Sequence, residues 1–292
     1  MTVSDHKNTD RSINYAISQL FAPSLQRKIN NSSEEKNIRK FLESCHLYSR
    51  EEKWDFIKGL ETAYNYLKYN YRCEYVYKNE IANQLLLKFH SDNSATLLKE
   101  VNSNSCIADI VIINGKTVAY EIKTELDSFN RLPNQINKYQ TLYDLLYIVT
   151  YPKAAKMLLE KLDKKIGILV LDTDGIIKTE REASDNYKIF DSGQAVFTLR
   201  QSELVKAYEN YVGKLPSMGT ALIHTFCYDW YLKLDHKDAH SIFAESLKSR
   251  KPAPHQFDLI KQCPPSLRML FLGQEISKKN CTLLVNKLCI FD

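Results

Sequence analysis

Two acidic residues and a lysine in apolar segments near the middle of the chain have a spacing that suits phosphodiester chemistry. Asp109 interrupts the apolar run Ile107–Ile113, and Glu121 and Lys123 stand two residues apart at the end of Thr117–Lys123. Two neighbouring carboxylates repel each other unless a cation neutralises them. We therefore expect Asp109 and Glu121 to hold Mg²⁺ or Mn²⁺, which would polarise a phosphate oxygen, and Lys123 to stabilise negative charge in the transition state.

A hairpin is needed to bring these residues together. Asn114-Gly115 separates the two apolar runs, and this dipeptide is a strong hairpin signal because both central positions of a tight turn tolerate positive φ. Side chains two apart on a strand share a face, so Glu121 and Lys123 project together. Asp109 then lies on the adjacent antiparallel strand, where it can converge with Glu121 on one point.

The segments around this hairpin predict an α/β fold of the order α-β-β-β-α-β-α-β. The spacing of apolar residues marks a first helix from Ile81 to Phe89. The remaining elements are expected at Thr96–Val101, Ile107–Ile113, Thr117–Lys123, Leu132–Leu146, Leu145–Thr150, Lys153–Leu162 and Ile166–Leu171, with a further strand or hairpin within Tyr187–Leu199. Strand, helix, strand in this order forms a right-handed crossover, which gives a mixed sheet with helices on its faces.

Long helical regions flank the predicted sheet. With 292 residues, of which 44% are hydrophobic, the chain can bury a sizeable core. We predict a helical N-terminal region (1–77), a nuclease-like core (78–200) and a helical C-terminal region (201–292). The flanks could recognise DNA, form a homo-oligomer, bind a partner protein, or simply cover the sheet.

Bulk properties narrow the class of protein. The net charge of +5 permits a nucleic-acid partner without arguing for one. The sequence has no apolar stretch of the roughly 18 residues that a membrane span needs. The seven cysteines are scattered, without a C-x-x-C pair or a preceding signal peptide. We expect reduced thiols, a cytoplasmic location and no membrane partner.

Three further residues are candidates for supporting roles. Gln135 and Tyr139 are four apart on the helix after Lys123 and so share a face; they would line the metal site, although this pattern taken alone is better explained by an ordinary helix with Tyr139 in the core. Glu80, near the start of the helix before the sheet, could be a further metal ligand. Its alternative role is to complement the helix dipole.

An acidic helix residue, an Asp, a Glu-x-Lys and then a Gln-x₃-Tyr, in this order, resemble the PD-(D/E)XK nuclease superfamily and its RecB-like branch, including small uncharacterised bacterial members. The resemblance covers residues 78–172. It implies a restriction-endonuclease-like core and a Mg²⁺- or Mn²⁺-dependent nuclease acting on nucleic acid, most simply DNA. It also implies that Glu80, Asp109 and Glu121 bind the metal, that Lys123 is catalytic, and that Gln135 and Tyr139 line the site. The biological setting would be bacterial or phage defence, or a mobile element.

Two other interpretations stay open. A catalytically silent member of the same fold could serve as a binding module in a regulatory or defence complex. A structural protein without a nucleic-acid role would require Asp109 and Glu121 to lie far apart. Weaker candidates elsewhere are Asp172–Gly175, which we interpret as a turn rather than a calcium loop, and His236, Asp238 and His240, whose spacing suits a solvated helix end as well as a metal.

Overall fold

The computed structural model describes residues 3–86, 95–272 and 274–288. The strands are β1 (Thr96–Ser103), β2 (Cys106–Asn114), β3 (Lys116–Lys123), β4 (Leu145–Thr150), β5 (Gly167–Leu171) and β6 (Ile177–Arg181). Before the sheet come the helices α1 (Val3–Ser18), α2 (Leu25–Lys28), α3 (Ser32–Ser44), α4 (Phe56–Asn70) and α5 (Glu74–Ile81). Between and after the strands lie α6 (Leu132–Gln140), α7 (Pro152–Lys161), α8 (Ser192–Ala195), α9 (Gln201–Tyr211), α10 (Thr220–Tyr231), α11 (His236–Ser249), α12 (Pro254–Gln262), α13 (Arg268–Phe271) and α14 (Lys278–Leu288).

The six strands form one mixed sheet in the order β1-β2-β3-β4-β5-β6. The first three strands are antiparallel, β3, β4 and β5 run parallel, and β6 returns antiparallel to β5. The parallel pairs require crossovers, which α6 and α7 supply. The predicted α/β class with a mixed sheet is confirmed, whereas its restriction-endonuclease-like character stays a prediction.

Both faces of the sheet are buried under helices. On one face, Ile110, Ile112 and Val149 pack against helices from the two ends of the chain, α1 to α5 and α12 to α14. On the other face, Val111 and Ile148 pack against α6 and α7 and the helices between residues 190 and 247. The predicted helical flanks therefore share their cores with the sheet, and the predicted boundary at 77/78 falls inside α5.

The hairpin between β2 and β3 is tighter than predicted. Asn114 is paired with Lys116, and only Gly115 stands between them, with φ +77°. Glycine adopts this conformation without a side-chain penalty. Asn114 is not among the residues with positive φ, so the turn depends on one glycine rather than on both residues of the dipeptide.

Several predicted bounds differ from those observed. The helix before the sheet begins at Glu74, not near Glu80, and continues as a π-helical turn over Ala82–Leu86; the predicted helical position Phe89 lies outside the described residues. The helix after β3 ends at Gln140 instead of Leu146, because the chain must turn before it enters β4.

The extra strand was predicted at the wrong place. Tyr187–Leu199 contains short helical turns, whereas β6 lies at Ile177–Arg181. The alternation in β6 is hard to read because its central residues, Lys178–Glu180, are exposed.

Neither membrane spans nor disulfides feature in the described structure. None of the helices in residues 3–86, 95–272 and 274–288 is long and apolar enough to cross a membrane. The six described cysteines form no disulfide with one another, and all but Cys45 are buried; the seventh, Cys289, lies outside the described residues.

Candidate metal and catalytic site

The site forms where β2 and β3 stop pairing. Their register runs from Asn114↔Lys116 to Ile110↔Tyr120. Beyond it, the backbone N–H of Ile122 donates to Asp109 Oδ2 at 2.7 Å, so a side chain of β2 supplies the acceptor. Asp109 is thereby fixed against β3, as the hairpin predicted.

Glu121 and Lys123 form the opposite wall of the site. Both are buried, and Lys123 Nζ lies 2.7 Å from Glu121 Oε1. The Lys123 ammonium also donates to Gln135 Oε1 at 3.0 Å. Parallel pairing of Glu121 and Lys123 with Ile148 and Thr150 of β4 holds this stretch of β3. The shared face predicted for Glu121 and Lys123 is confirmed by their contact.

A short loop and the helix α6 carry Gln135 and Tyr139 to the site. The loop starts at Thr124, whose N–H and hydroxyl both donate to Asp127 Oδ2 at 2.8 Å. Pro133 occupies the first turn of α6, where a missing N–H costs nothing. Tyr139 is fully buried and donates to the Ile107 carbonyl at 2.7 Å, which ties α6 to β2.

The electrostatics of the two carboxylates reflect their proximity. Burial, and next the charge of Glu121, raise the pKa of Asp109 to about 7, although the Ile122 N–H opposes this rise. Burial also raises the pKa of Glu121, against the opposing effects of Lys123, Gln135 and Tyr139. Asp109 and Glu121 therefore share one electrostatic site, and Gln135 and Tyr139 belong to it.

Sequence reasoning missed a third side of the site, at the start of α5. Lys78 is buried and lies 2.6 Å from Glu74 and 3.1 Å from Glu100. Burial tends to lower the pKa of Lys78, but Glu74, Glu100 and Asp109 outweigh it and leave the pKa raised. Glu74 also raises the pKa of Asp109. The available signal was the i,i+4 spacing of Glu74 and Lys78 ahead of the first strand.

Glu80, the predicted third ligand, belongs to a different cluster. Its carboxylate accepts from Tyr64 at 2.7 Å and Gln84 at 2.6 Å, and it pairs with Lys68 at 3.2 Å. Gln84 also binds the Gly175 carbonyl and the Ile177 N–H, so this cluster fastens the turn between β5 and β6. Glu80 lies late in α5, because that helix starts earlier than the sequence suggested.

Two carboxylates are what the site offers to a metal ion. Within the described ranges, no group of three or more His, Cys, Asp or Glu side chains is arranged to hold one. Glu121 Oε2, however, is buried and has no hydrogen-bond partner among the described residues. Mg²⁺ commonly binds through one or two carboxylates and completes its shell with waters and substrate phosphate. The residues present therefore fit a Mg²⁺ or Mn²⁺ ion.

The weaker candidates have structural contacts. His240 Nε2 lies 2.7 Å from Asp144 Oδ1, and His236 Nε2 lies 2.8 Å from the Tyr187 carbonyl. Asp172 Oδ1 accepts from the N–H groups of Asp174 and Ile176, which makes Asp172–Gly175 the expected turn.

Fold and site together define an α/β protein in which an acidic pair and a lysine meet at the opening of a hairpin in a mixed sheet. The sequence model of the bacteriophage P4 protein cII family matches residues 67–281, which include all of these site residues. This chain therefore belongs to the bacteriophage P4 protein cII family.

Two individual proteins show limited similarity. Protein cII of Enterobacteria phage P4 is 26% identical over 111 residues, which cover 37% of this chain and 39% of that relative. The chain thus matches about two fifths of the length of this curated relative. A solved protein of unknown function from Silicibacter pomeroyi is 16% identical, with a TM-score of 0.29, over 37% of this chain and 68% of its own. This structural similarity is too low to support an inference.

Proposed function

We propose that this protein is a metal-dependent nuclease that hydrolyses phosphodiester bonds, with DNA as its substrate. The observation that supports this most directly is the electrostatic interaction of Asp109 with Glu121: burial, and next the charge of Glu121, raise the pKa of Asp109 to about 7. Lys123 lies against the same pair, 2.7 Å from Glu121. A fold that keeps a buried and a half-buried carboxylate in one electrostatic site loses stability through them, which is typical of functional sites.

The roles of the residues follow from their contacts. Asp109 and Glu121 would hold Mg²⁺ or Mn²⁺, which when bound supplies Lewis-acid chemistry. Lys123 is placed to stabilise the charge that develops on the phosphoryl oxygens. Gln135 accepts from Lys123 and keeps its ammonium at the site. Tyr139 joins α6 to β2 and fixes the distance between them.

The order α5, β1, β2, β3, α6, β4 agrees with the restriction-endonuclease-like core that the resemblance implies, and we include this fold in the proposal. The residues resembling the RecB-like motif lie on the expected elements, but Glu80 contacts Tyr64, Lys68 and Gln84 instead of the candidate site. Glu74, on the same helix and acting on Asp109, takes the position proposed for the acidic helix residue. The curated relative comes from a phage, which supports a role in phage or mobile-element biology. The described cysteines form no disulfide with one another, which fits the reducing cytoplasm.

Cleavage of DNA by the purified chain tests this proposal. We expect hydrolysis with Mg²⁺ or Mn²⁺, suppression by EDTA, and a loss of at least about 10²-fold in Lys123→Ala and Asp109→Ala. Lys153→Ala, an exposed change on α7, is the matched control and should cut normally. Equal cutting by wild type, Lys123→Ala and Asp109→Ala would refute the nuclease. A wild-type protein that is well folded but neither binds metal nor cuts DNA would favour the catalytically silent binding module.

A further inference from the structure

Three recesses adjoin one another beside the candidate site, and one of them is lined by the start of α5. The largest has a volume of about 800 Å³ and follows β1, which is an edge strand of the sheet. A second of about 370 Å³ shares Lys99 and Glu100 with it, and a third of about 260 Å³ shares Tyr71 and Leu126 with the second. Because neighbouring recesses share lining residues, they adjoin one another, and we refer to the three together as the groove.

This groove passes the metal site. The central recess is lined by Glu74, Lys78 and Glu100. Glu100 lies on β1 between the pairs Lys99↔Ile110 and Val101↔Ala108, which places it beside Asp109 of β2. A ligand lying along the groove would therefore pass next to the acidic pair.

The largest recess carries excess positive charge. Its lining includes Lys99, Arg200, Arg250 and Lys251 against Glu100 and Glu275. Arg250 is neutralised by two 2.7 Å hydrogen bonds to Glu203, and Glu100 is paired with Lys78. The charge offered to a ligand thus comes mainly from Lys99, Arg200 and Lys251. Such a stretch attracts a polyphosphate backbone.

An exposed aromatic ring stands in the same recess. Phe197 is 56% exposed, although it is a large apolar side chain, and it packs on one side against Tyr228 at 5.8 Å between ring centroids. Bases of any sequence stack on such a ring when they are not already stacked in a duplex. Tyr15 and Tyr69, each 60% exposed, line the central and the smallest recess.

We propose that this groove binds a single strand of nucleic acid and leads it past Asp109, with Lys99, Arg200 and Lys251 on phosphates and Phe197 under a base. This inference rests on the proposed nuclease function and names its substrate form. Pockets of roughly 300–1,000 Å³ hold drug-sized ligands, so the largest recess, at about 800 Å³, has room for a nucleotide or two. Phosphate contact together with a stacking platform is the pattern of single-strand binding.

Fluorescence anisotropy in EDTA tests the groove without requiring cleavage. The probes are labelled oligothymidine DNA, oligouridine RNA of equal length, and a DNA duplex. We expect single strands to bind more tightly than the duplex, Phe197→Ala to weaken binding about fivefold or more, and Arg200→Ala/Lys251→Ala to flatten the dependence of log K on log salt by about 1.4. Comparing the DNA and RNA strands identifies the preferred sugar.

Exposed residues outside the groove provide controls of equal type. Leu222→Ala matches Phe197→Ala, and Lys153→Ala/Lys156→Ala matches the double charge change. The groove is refuted if its variants bind single strands as tightly as these controls, or if the duplex is preferred. Failure of the nuclease proposal looks different: cleavage would be insensitive to Lys123→Ala, whatever the anisotropy shows.

Discussion

Lys123 Nζ lies 2.7 Å from Glu121 Oε1, while the second oxygen of that carboxylate is buried and has no partner among the described residues. One oxygen of Glu121 thus pairs with the lysine, and the other is left for a ligand. A hydrogen-bonded carboxylate would not normally leave its second oxygen unsatisfied in a buried position. This asymmetry suits a ligand that arrives from outside the chain.

Divalent metal ions should stabilise the folded protein. A ligand that binds only the native state raises its stability by an amount that grows with ligand concentration, about 2.7 kcal/mol at 100 times Kd. We expect the melting temperature to rise with Mn²⁺ in wild type and to stay unchanged in Asp109→Ala. Differential scanning fluorimetry measures both. Equal shifts in the two proteins would mean that Mn²⁺ binds elsewhere.

Without metal, the acidic pair should destabilise the fold as pH rises. The pKa of Asp109 is raised to about 7 in the folded chain, above its ordinary value. The stability that the fold has with Asp109 protonated is therefore fully present below about pH 4 and is lost as pH rises through 7. Asp109→Asn removes this loss and keeps an acceptor for the Ile122 N–H.

Urea unfolding in EDTA measures the effect. We expect Asp109→Asn to gain about 1–2 kcal/mol over wild type between pH 4 and pH 7.5. Asp258→Asn, an exposed change on α12, should follow wild type at every pH. A constant difference between Asp109→Asn and wild type across this range would contradict the prediction.

The two acidic residues of α5 should have different roles, with Glu80 acting on stability and Glu74 on metal binding. Glu80→Ala removes the partner of Tyr64, Lys68 and Gln84, and we expect it to lose about 2–3 kcal/mol of unfolding free energy. The Mn²⁺-induced shift should persist in this variant. Glu74→Gln should leave stability within about 0.5 kcal/mol and reduce that shift. The reverse outcome would restore Glu80 as the metal-binding acid.

Asp144 should contribute to stability at neutral pH and lose that contribution in acid. Burial tends to raise its pKa, but hydrogen bonds from His240 and Thr117 outweigh burial and lower it. A lowered carboxyl pKa gives stability that is present above the unfolded value, near 4, and lost as pH falls through the folded value.

We expect Asp144→Ala to cost about 2–3 kcal/mol at pH 7. The cost should shrink as urea titrations are repeated toward pH 3. A loss of equal size at pH 7 and pH 3 would show that Asp144 acts through packing alone.

The sequence predicted well where one local pattern decides the outcome. Apolar runs around Asp109 and Glu121, separated by Asn114-Gly115, specified β2, β3 and their antiparallel pairing. Gln135 and Tyr139 reached the site because Pro133 and the spacing of apolar residues specified α6. In each case the pattern and its structural result lie within a few residues of each other.

The positions that sequence reasoning missed are determined by long-range packing. Glu80 and Glu74 are both acids on α5, and only the docking of that helix places Glu74 toward Asp109 and Glu80 toward Lys68. The exposed β6 has no apolar alternation to reveal it, because it is held mainly by its pairing with β5. Contacts between distant segments leave no periodic trace in a single sequence.

The hydrogen bond from the Ile122 N–H to Asp109 couples cation binding and protonation at the site to the backbone of the sheet. Anything that withdraws Asp109 from this bond, such as a captured cation or a proton, leaves the Ile122 amide to find another acceptor or to meet water. Occupancy of the site and closure of the hairpin are therefore thermodynamically linked. The hydrogen-exchange rate of the Ile122 amide therefore reports whether the site is occupied.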